Sequence, residues 1–220
     1  MCPLLPTRKP LLCYVTDRRG LSGTPGLAIK LQIEKIERAA KAGVDWIQLR
    51  EKDLSGRESA GMTARAMACA GSGTAILVND RADVACAIGA SGVHLGGRSL
   101  PAEEARRLAN CCCAGKDFLV GVSAHSLEEA IQSEQAGADY VIFGPVFATP
   151  SKADFGRPQG VQRLQEVSNR LTIPVLALGG VTTKNAGECL AAGAAGIAAI
   201  RLFQDTEDLE TLVRELRRES

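Results

Sequence analysis

Four times in this chain a helix-like stretch closes on glycine and runs straight into a short apolar strand. The junctions are Ala42-Gly43-Val44-Asp45-Trp46-Ile47, Gly89-Ala90-Ser91-Gly92-Val93-His94-Leu95, Gly137-Ala138-Asp139-Tyr140-Val141-Ile142-Phe143 and Gly193-Ala194-Ala195-Gly196-Ile197. Glycine closes a helix in the left-handed conformation at no steric cost, so each junction reads as a helix end feeding a buried strand. The caps lie about two βα units apart, and strand-like runs at 75–78, 118–122 and 174–178 fall between them. With a first strand at 11–16, the alternation predicts a closed parallel barrel, a single (β/α)8 TIM barrel of the α/β class. Helices are expected over 28–42, 56–70, 82–88, 101–110, from Ser126, after 160, over 184–192 and over 206–217. Ser126-Leu127-Glu128-Glu129 has the residue types of a capping box, and Ser99 stands where an N-cap would precede Pro101.

The 220 residues, 45% of them apolar, suffice for one barrel and leave no room for a second domain. Residues 1–220 are therefore read as one domain, with 1–10 as a flexible N-terminal extension. The balance of 26 basic against 25 acidic side chains carries no long-range attraction for nucleic acid or membrane. No apolar segment of export or membrane-spanning type stands near the start or later, so a cytoplasmic location is expected. The eight cysteines sit in expected helices and strands and read as reduced core residues. The adjacent Cys111, Cys112 and Cys113 lack the spacing with which separated cysteine pairs converge on a metal.

A barrel of this kind keeps its chemistry at the C-terminal ends of its strands, which directs attention to five segments. Gln48-Leu49-Arg50-Glu51-Lys52 leaves strand two with an amide and two cations, suited to a polar ring and a diphosphate; a solvated strand end accounts for Glu51 and Lys52 only. Asn79-Asp80-Arg81 leaves strand three with a carboxylate that can either hold Mg²⁺ or cap the next helix. Ser123 and His125 follow strand five, His125 reading as a structural hydrogen-bonder. The irregular stretch 144–160, the longest in the chain, brings Thr149, Ser151 and Lys152 together as a phosphate-binding set. Gly179-Gly180 after strand seven lets backbone N–H groups approach an anion, and strand eight ends at Ile200-Arg201.

Taken in order, these segments and Gly92-Val93-His94-Leu95-Gly96 resemble the thiamine phosphate synthase/TenI family along nearly the whole chain. In the synthase branch the resemblance implies a transferase that joins an aminopyrimidine diphosphate to a thiazole phosphate and releases pyrophosphate. It implies that Gln48, Arg50, Lys52 and Asn79 hold the pyrimidine diphosphate, that Ser123 and Lys152 hold the leaving pyrophosphate, and that Asp80 ligates Mg²⁺. Arg50, Lys52, Ser123 and Lys152 are thereby the expected catalytic set. Thr149, Ser151, Gly180, Ile200 and Arg201 are assigned to the thiazole phosphate. The partners implied are phosphorylated small molecules, with a homodimer left open.

The chain departs from the synthase pattern at two points. Ser99 stands at the second carboxylate ligand of the metal, with Arg98 beside it, and Arg201 replaces a serine. Ser99-Leu100 is similar to the TenI branch of thiazole tautomerases, yet Pro145 stands where those enzymes carry a histidine. Two alternatives therefore accompany the synthase expectation: a TenI-like tautomerase, and a non-catalytic binder of thiamine precursors.

Overall fold

The computed structural model describes residues 9–113, 117–149 and 158–218. Eight strands, β1 (Leu11–Val15), β2 (Trp46–Leu49), β3 (Ala75–Asn79), β4 (Gly92–Leu95), β5 (Leu119–Ala124), β6 (Tyr140–Phe143), β7 (Val175–Leu178) and β8 (Gly196–Ala199), pair in parallel and in sequence order into a closed barrel. Around them run α1 (Pro25–Lys41), α2 (Gly56–Ala70), α3 (Ala82–Ile88), α4 (Ala102–Cys112), α5 (Leu127–Gln135), α6 (Gly160–Arg170), α7 (Ala186–Ala191), α8 (Arg201–Gln204) and α9 (Leu209–Arg218). Gly43, Gly89, Gly137 and Gly193 all take positive φ, between 74° and 91°, as the four junctions require.

Strand alternation divides the core into two layers. Outward residues such as Leu12, Tyr14, Ile47 and Val141 pack against helices, whereas inward Cys13, Trp46, Leu77, Leu119, Tyr140 and Leu176 fill the barrel. The large inward rings need small neighbours. Trp46 and Tyr140 pack with centroids 4.6 Å apart, and a Cβ on the inward Gly121 would lie 1.9 Å from Tyr140 Cζ. Gly121 is therefore the space that Tyr140 occupies.

The observed elements depart from the expected ones in several places, each with a local cause. The expected helix 206–217 starts later, at Leu209, and a separate short helix, α8, precedes it. Gln204 is buried at the end of α8, accepting from Tyr14 Oη at 3.1 Å and donating to Asp17 O at 2.9 Å, and Asp208 then starts α9 by accepting from Thr211 N at 2.9 Å. The new helix buries Leu209, Leu212, Val213 and Leu216, the spacing of one helical face. Ser99 does not cap α4; Pro101 holds that position, and the Ser99 hydroxyl turns inward instead. At α5, Ser126 accepts from Glu129 N, but the Glu129 carboxylate reaches back to His125 N, so the box is displaced by one residue. A complete capping box, unread in the sequence, opens α2 at Ser55 and Glu58. Cys13, Cys113 and Cys189 are buried, but Cys111 and Cys112 are exposed on α4, contrary to the core reading of that run.

Candidate active site

Above the apolar plug, at the C-terminal ends of β2 to β5, the inward positions turn polar. Gln48, Asn79, His94 and Ser123 continue the alternation that places Trp46, Leu77, Gly92 and Gly121 below them. Asn79 and His94 are partners in the β3–β4 register, which sets two hydrogen-bonded groups side by side.

The first group is a chain. Gln48 Nε2 donates to Asn79 Oδ1 at 2.7 Å, Asn79 Nδ2 donates to Asp80 Oδ2 at 2.6 Å, and Ser99 Oγ donates to Asp80 Oδ1. Gly96 N donates to Ser99 Oγ at 2.7 Å and to Asp80 Oδ1 at 3.3 Å. Asp80 has φ +63°, a conformation that costs a side-chain-bearing residue about 1–3 kcal/mol. Its amide donates to His94 O at 2.8 Å, so the turn is pinned to β4 and the carboxylate faces the β4–α4 loop. Of its two sequence readings, Asp80 therefore does not follow the helix-cap one: Arg81 precedes α3 and no side chain caps it. Gln48 is buried, and its Oε1 has no hydrogen-bond partner among the described residues. An acceptor of that kind is costly unless something donates to it.

The second group lies beside the first. His94 is buried, with Nε2 2.8 Å from Ser123 Oγ and Nδ1 3.1 Å from Tyr140 Oη. Burial lowers its pKa to about 4; Asp80 opposes the shift and the Arg50 cation adds to it. The imidazole is thus neutral near pH 7.

Arg50 leads out of β2 half-buried, its amide donating to Thr16 Oγ1 at 3.0 Å, and Lys52 is exposed. Glu51, between them, is not the solvated residue that a strand end would give. Its side chain is 5% exposed, accepts from Thr16 Oγ1 at 2.6 Å, and pairs with Arg18 at 2.9 Å. Arg18 also forks onto Asp53 at 2.7 and 2.6 Å, and that guanidinium holds the Asp53 carboxyl well below the usual carboxylate range. Both carboxylates flanking Lys52 are therefore tied to the turn after β1.

On the far side, Gly179 and Gly180 have φ +97° and +65°. A Cβ on Gly180 would lie 2.6 Å from Ala148 O, and one on Gly179 2.6 Å from the Pro145 Cβ. The loop after β6 is laid along them by Val146 N to Leu178 O at 2.8 Å and Phe147 N to Gly179 O at 2.9 Å. Asn185 braces the same turn, donating to Gly180 O at 3.1 Å. Ile200 lines the inward face beside Leu178, and the exposed Arg201 donates to Thr149 Oγ1 at 3.0 Å. Ser151 and Lys152 lie outside the described residues.

Gln48, Asn79, Asp80 and Ser99 are thus directly linked, Ser123 is joined to them through the register neighbour His94, and Thr149, Gly180 and Arg201 form a separate group. His94, Tyr140, Thr16 and Arg18 carry interactions at this rim that sequence reasoning did not assign. A polar His94 between inward glycines was a readable signal; nothing in the local sequence marks Arg18.

The sequence model of the thiamine monophosphate synthase family matches residues 22–203. A thiamine-phosphate synthase of Methanocella arvoryzae is 44% identical over 206 residues, covering 93% of this chain and 92% of the relative. One of Chlorobium luteolum is 38% identical over 208 residues, covering 94% and 91%. The solved thiamine phosphate pyrophosphorylase of Pyrococcus furiosus superposes with a TM-score of 0.81 at 34% identity, over 97% of each chain. With a matching family model, relatives of that identity and the same barrel, this chain belongs to the thiamine monophosphate synthase family.

Proposed function

We propose that the protein is a thiamine phosphate synthase, which transfers the methylene-linked pyrimidine of an aminopyrimidine diphosphate to a thiazole phosphate with release of pyrophosphate. The observation that carries this reading is the linked set Gln48–Asn79–Asp80–Ser99 beside Ser123, a polar wall with one unpartnered buried acceptor and a carboxylate at its rim. The unpartnered Gln48 Oε1 suits an amino group on the pyrimidine ring, and Asn79 fixes the orientation of that amide.

In the reaction the bond between the pyrimidine methylene carbon and the diphosphate oxygen breaks, its electron pair leaving with pyrophosphate. The thiazole nitrogen then forms the new C–N bond with its lone pair. Such a dissociative step asks the protein for charge stabilisation and positioning, and for no nucleophile. Arg50, Lys52, Ser123 and Lys152 are assigned to the diphosphate, and Thr149, Ser151, the Gly180 backbone, Ile200 and Arg201 to the thiazole phosphate. The absence of Cβ atoms at Gly179 and Gly180 lets the loop that carries Thr149 lie against their backbone, and the Arg201 guanidinium already rests on Thr149, which supports the latter.

Asp80 and Ser99 offer oxygen donors of the type that Mg²⁺ takes, with only one carboxylate between them. Two neighbouring side chains and one amide already occupy about three of the four lone-pair sites of Asp80, leaving a monodentate position. The residues therefore fit a weakly held ion that arrives with the substrate, most of its ligands being diphosphate and water oxygens. When bound, Mg²⁺ neutralises charge building on the departing diphosphate.

Ser99 favours the tautomerase alternative, but the described residues of the loop after β6 do not supply its histidine. Pro145 is buried where that chemistry needs a histidine, and the imidazole nearest in sequence, His125, is engaged through Nδ1 with Gly144 O. Incubation with both substrates and Mg²⁺, followed by oxidation of thiamine phosphate to its fluorescent product, tests the proposal. Turnover of a thiazole tautomer without condensation would move the protein to the other branch.

A further inference from the structure

Behind Ser123 stand a buried histidine and a buried tyrosine, joined to it in one hydrogen-bonded row. Tyr140 is fully buried, and its hydroxyl has one hydrogen-bond partner among the described residues, His94 Nδ1 at 3.1 Å. His94 in turn has one side-chain partner on each ring nitrogen, Tyr140 and Ser123. A phenol has a single proton, and burying it without an acceptor costs about 1–3 kcal/mol. Only one arrangement of protons satisfies all three groups: Tyr140 O–H donates to Nδ1, the ring carries its proton on Nε2, and Nε2–H donates to Ser123 Oγ. In the opposite tautomer Nδ1–H would point at the phenol oxygen, and the phenol proton would have nowhere to go. A doubly protonated ring would strand that proton too.

The consequence falls on Ser123. A hydroxyl that accepts from Nε2–H keeps its own proton free, whereas one that donated to the imidazole would turn lone pairs toward the mouth. We propose that Tyr140 and His94 are positioning residues that fix the direction of the Ser123 hydroxyl, so that it presents a hydrogen-bond donor to the anionic leaving diphosphate. This rests on the synthase reading for the identity of the anion, but the tautomer itself does not. Gly121 belongs to the same device, since the missing Cβ is what lets Tyr140 lie beneath the imidazole.

The test has two arms. The chain has two histidines, so the imidazole ¹⁵N resonances of uniformly labelled protein are assigned by comparison with a His125→Gln variant. At neutral pH in the absence of substrate, His94 should show a pyrrole-type Nε2 and a pyridine-type Nδ1. A protonated Nδ1, alone or with Nε2, overturns the proposal. In the kinetic arm, Ser123→Ala is expected to lower kcat/KM about ten- to a hundredfold, as for a lost bond to a charged group. Tyr140→Phe, which keeps the ring, should lower it several-fold with an unchanged far-ultraviolet spectrum. Adding Tyr140→Phe to Ser123→Ala should cost less than a further factor of two, because the hydroxyl being aimed is already gone. Multiplicative losses would show that Tyr140 acts by some other route and overturn the proposal. Should the wild type form no thiamine phosphate, the synthase reading falls, and the spectrum still decides the tautomer.

Discussion

Replacing Arg18 by methionine removes a guanidinium while keeping an unbranched apolar stem, and the structure says where the cost falls. Asp53 is 32% exposed on its side chain and keeps Arg19 at 2.9 Å, so water and a second cation absorb most of its loss. Glu51 is 5% exposed and loses its only ion-pair partner among the described residues, retaining Thr16 Oγ1 at 2.6 Å and the residue 18 amide at 3.2 Å. Stripping the partner from a buried charge costs about 3–5 kcal/mol, and the two surviving donors put this case near the lower end, about 3 kcal/mol. For a chain of this size that lowers the thermal midpoint by about 6–12 °C, measurable by circular dichroism, and urea unfolding gives the free energy directly. Adding Glu51→Gln neutralises the stranded charge while leaving an oxygen for Thr16, and should restore about 2 kcal/mol. A single-variant loss below about 1 kcal/mol, or a double variant no more stable than the single, would refute the reasoning that uncompensated charge at Glu51 is the cause. Since Glu51 and Asp53 bracket Lys52, the single variant should also lower kcat/KM at temperatures where it remains folded.

Gly121→Ala forces a methyl group to within 1.9 Å of the Tyr140 ring, and overpacking of about 1–3 kcal/mol plus a broken Tyr140–His94 bond should appear as lost stability and lost activity together. Equilibrium unfolding alongside turnover checks it; loss of neither contradicts the packing described. His94 takes up a proton only near pH 4 in the folded protein but near 6.5 when unfolded, so between those values the unfolded state binds more protons. Its contribution, about 3 kcal/mol when complete, is present above pH 6.5 and lost as pH falls toward 4; the stability of His94→Asn, followed by urea titration, should depend less on pH across that window. Ser99→Asp replaces a hydrogen bond to Asp80 with a like charge, a repulsion of about 1–4 kcal/mol, so the variant should melt lower than wild type without Mg²⁺. Adding Mg²⁺ should raise its melting temperature more than that of wild type, and the Mg²⁺ concentration for half-maximal turnover should fall; equal responses would reject Asp80 and Ser99 as the metal position.

The barrel was legible because its signals are local. Four left-handed glycines with the apolar runs that follow them declare four strands, and the apolar runs at 11–16, 75–78, 118–122 and 174–178 declare the other four, without any knowledge of tertiary contacts. Gln48, Asn79, Asp80 and Ser99 were legible as residues at strand ends, but their connection was not, because the hydrogen bond between Ser99 and Asp80 spans 19 positions and depends on a left-handed Asp80. Glu51 was misjudged because its burial is decided by Arg18, 33 residues away on a different loop. The short helix α8 escaped notice because its anchor, Gln204, looks like any polar residue until Tyr14 and Asp17 are placed beside it. Tyr140 reads as an apolar strand residue, and only the empty space at Gly121 reveals that its hydroxyl reaches His94.

On the proposed function, the rim of β2 to β5 binds an aminopyrimidine diphosphate and the chain condenses it with a thiazole phosphate. The direct measurement follows thiamine phosphate and pyrophosphate formed by the purified full chain from both substrates with Mg²⁺, for wild type, Gln48→Leu and Asp80→Asn. Wild type should give equimolar products, Gln48→Leu a raised KM for the pyrimidine substrate, and Asp80→Asn a shifted Mg²⁺ requirement. Wild-type protein that binds either precursor without forming product, or substitutions that leave KM and Mg²⁺ dependence unchanged, would contradict that function.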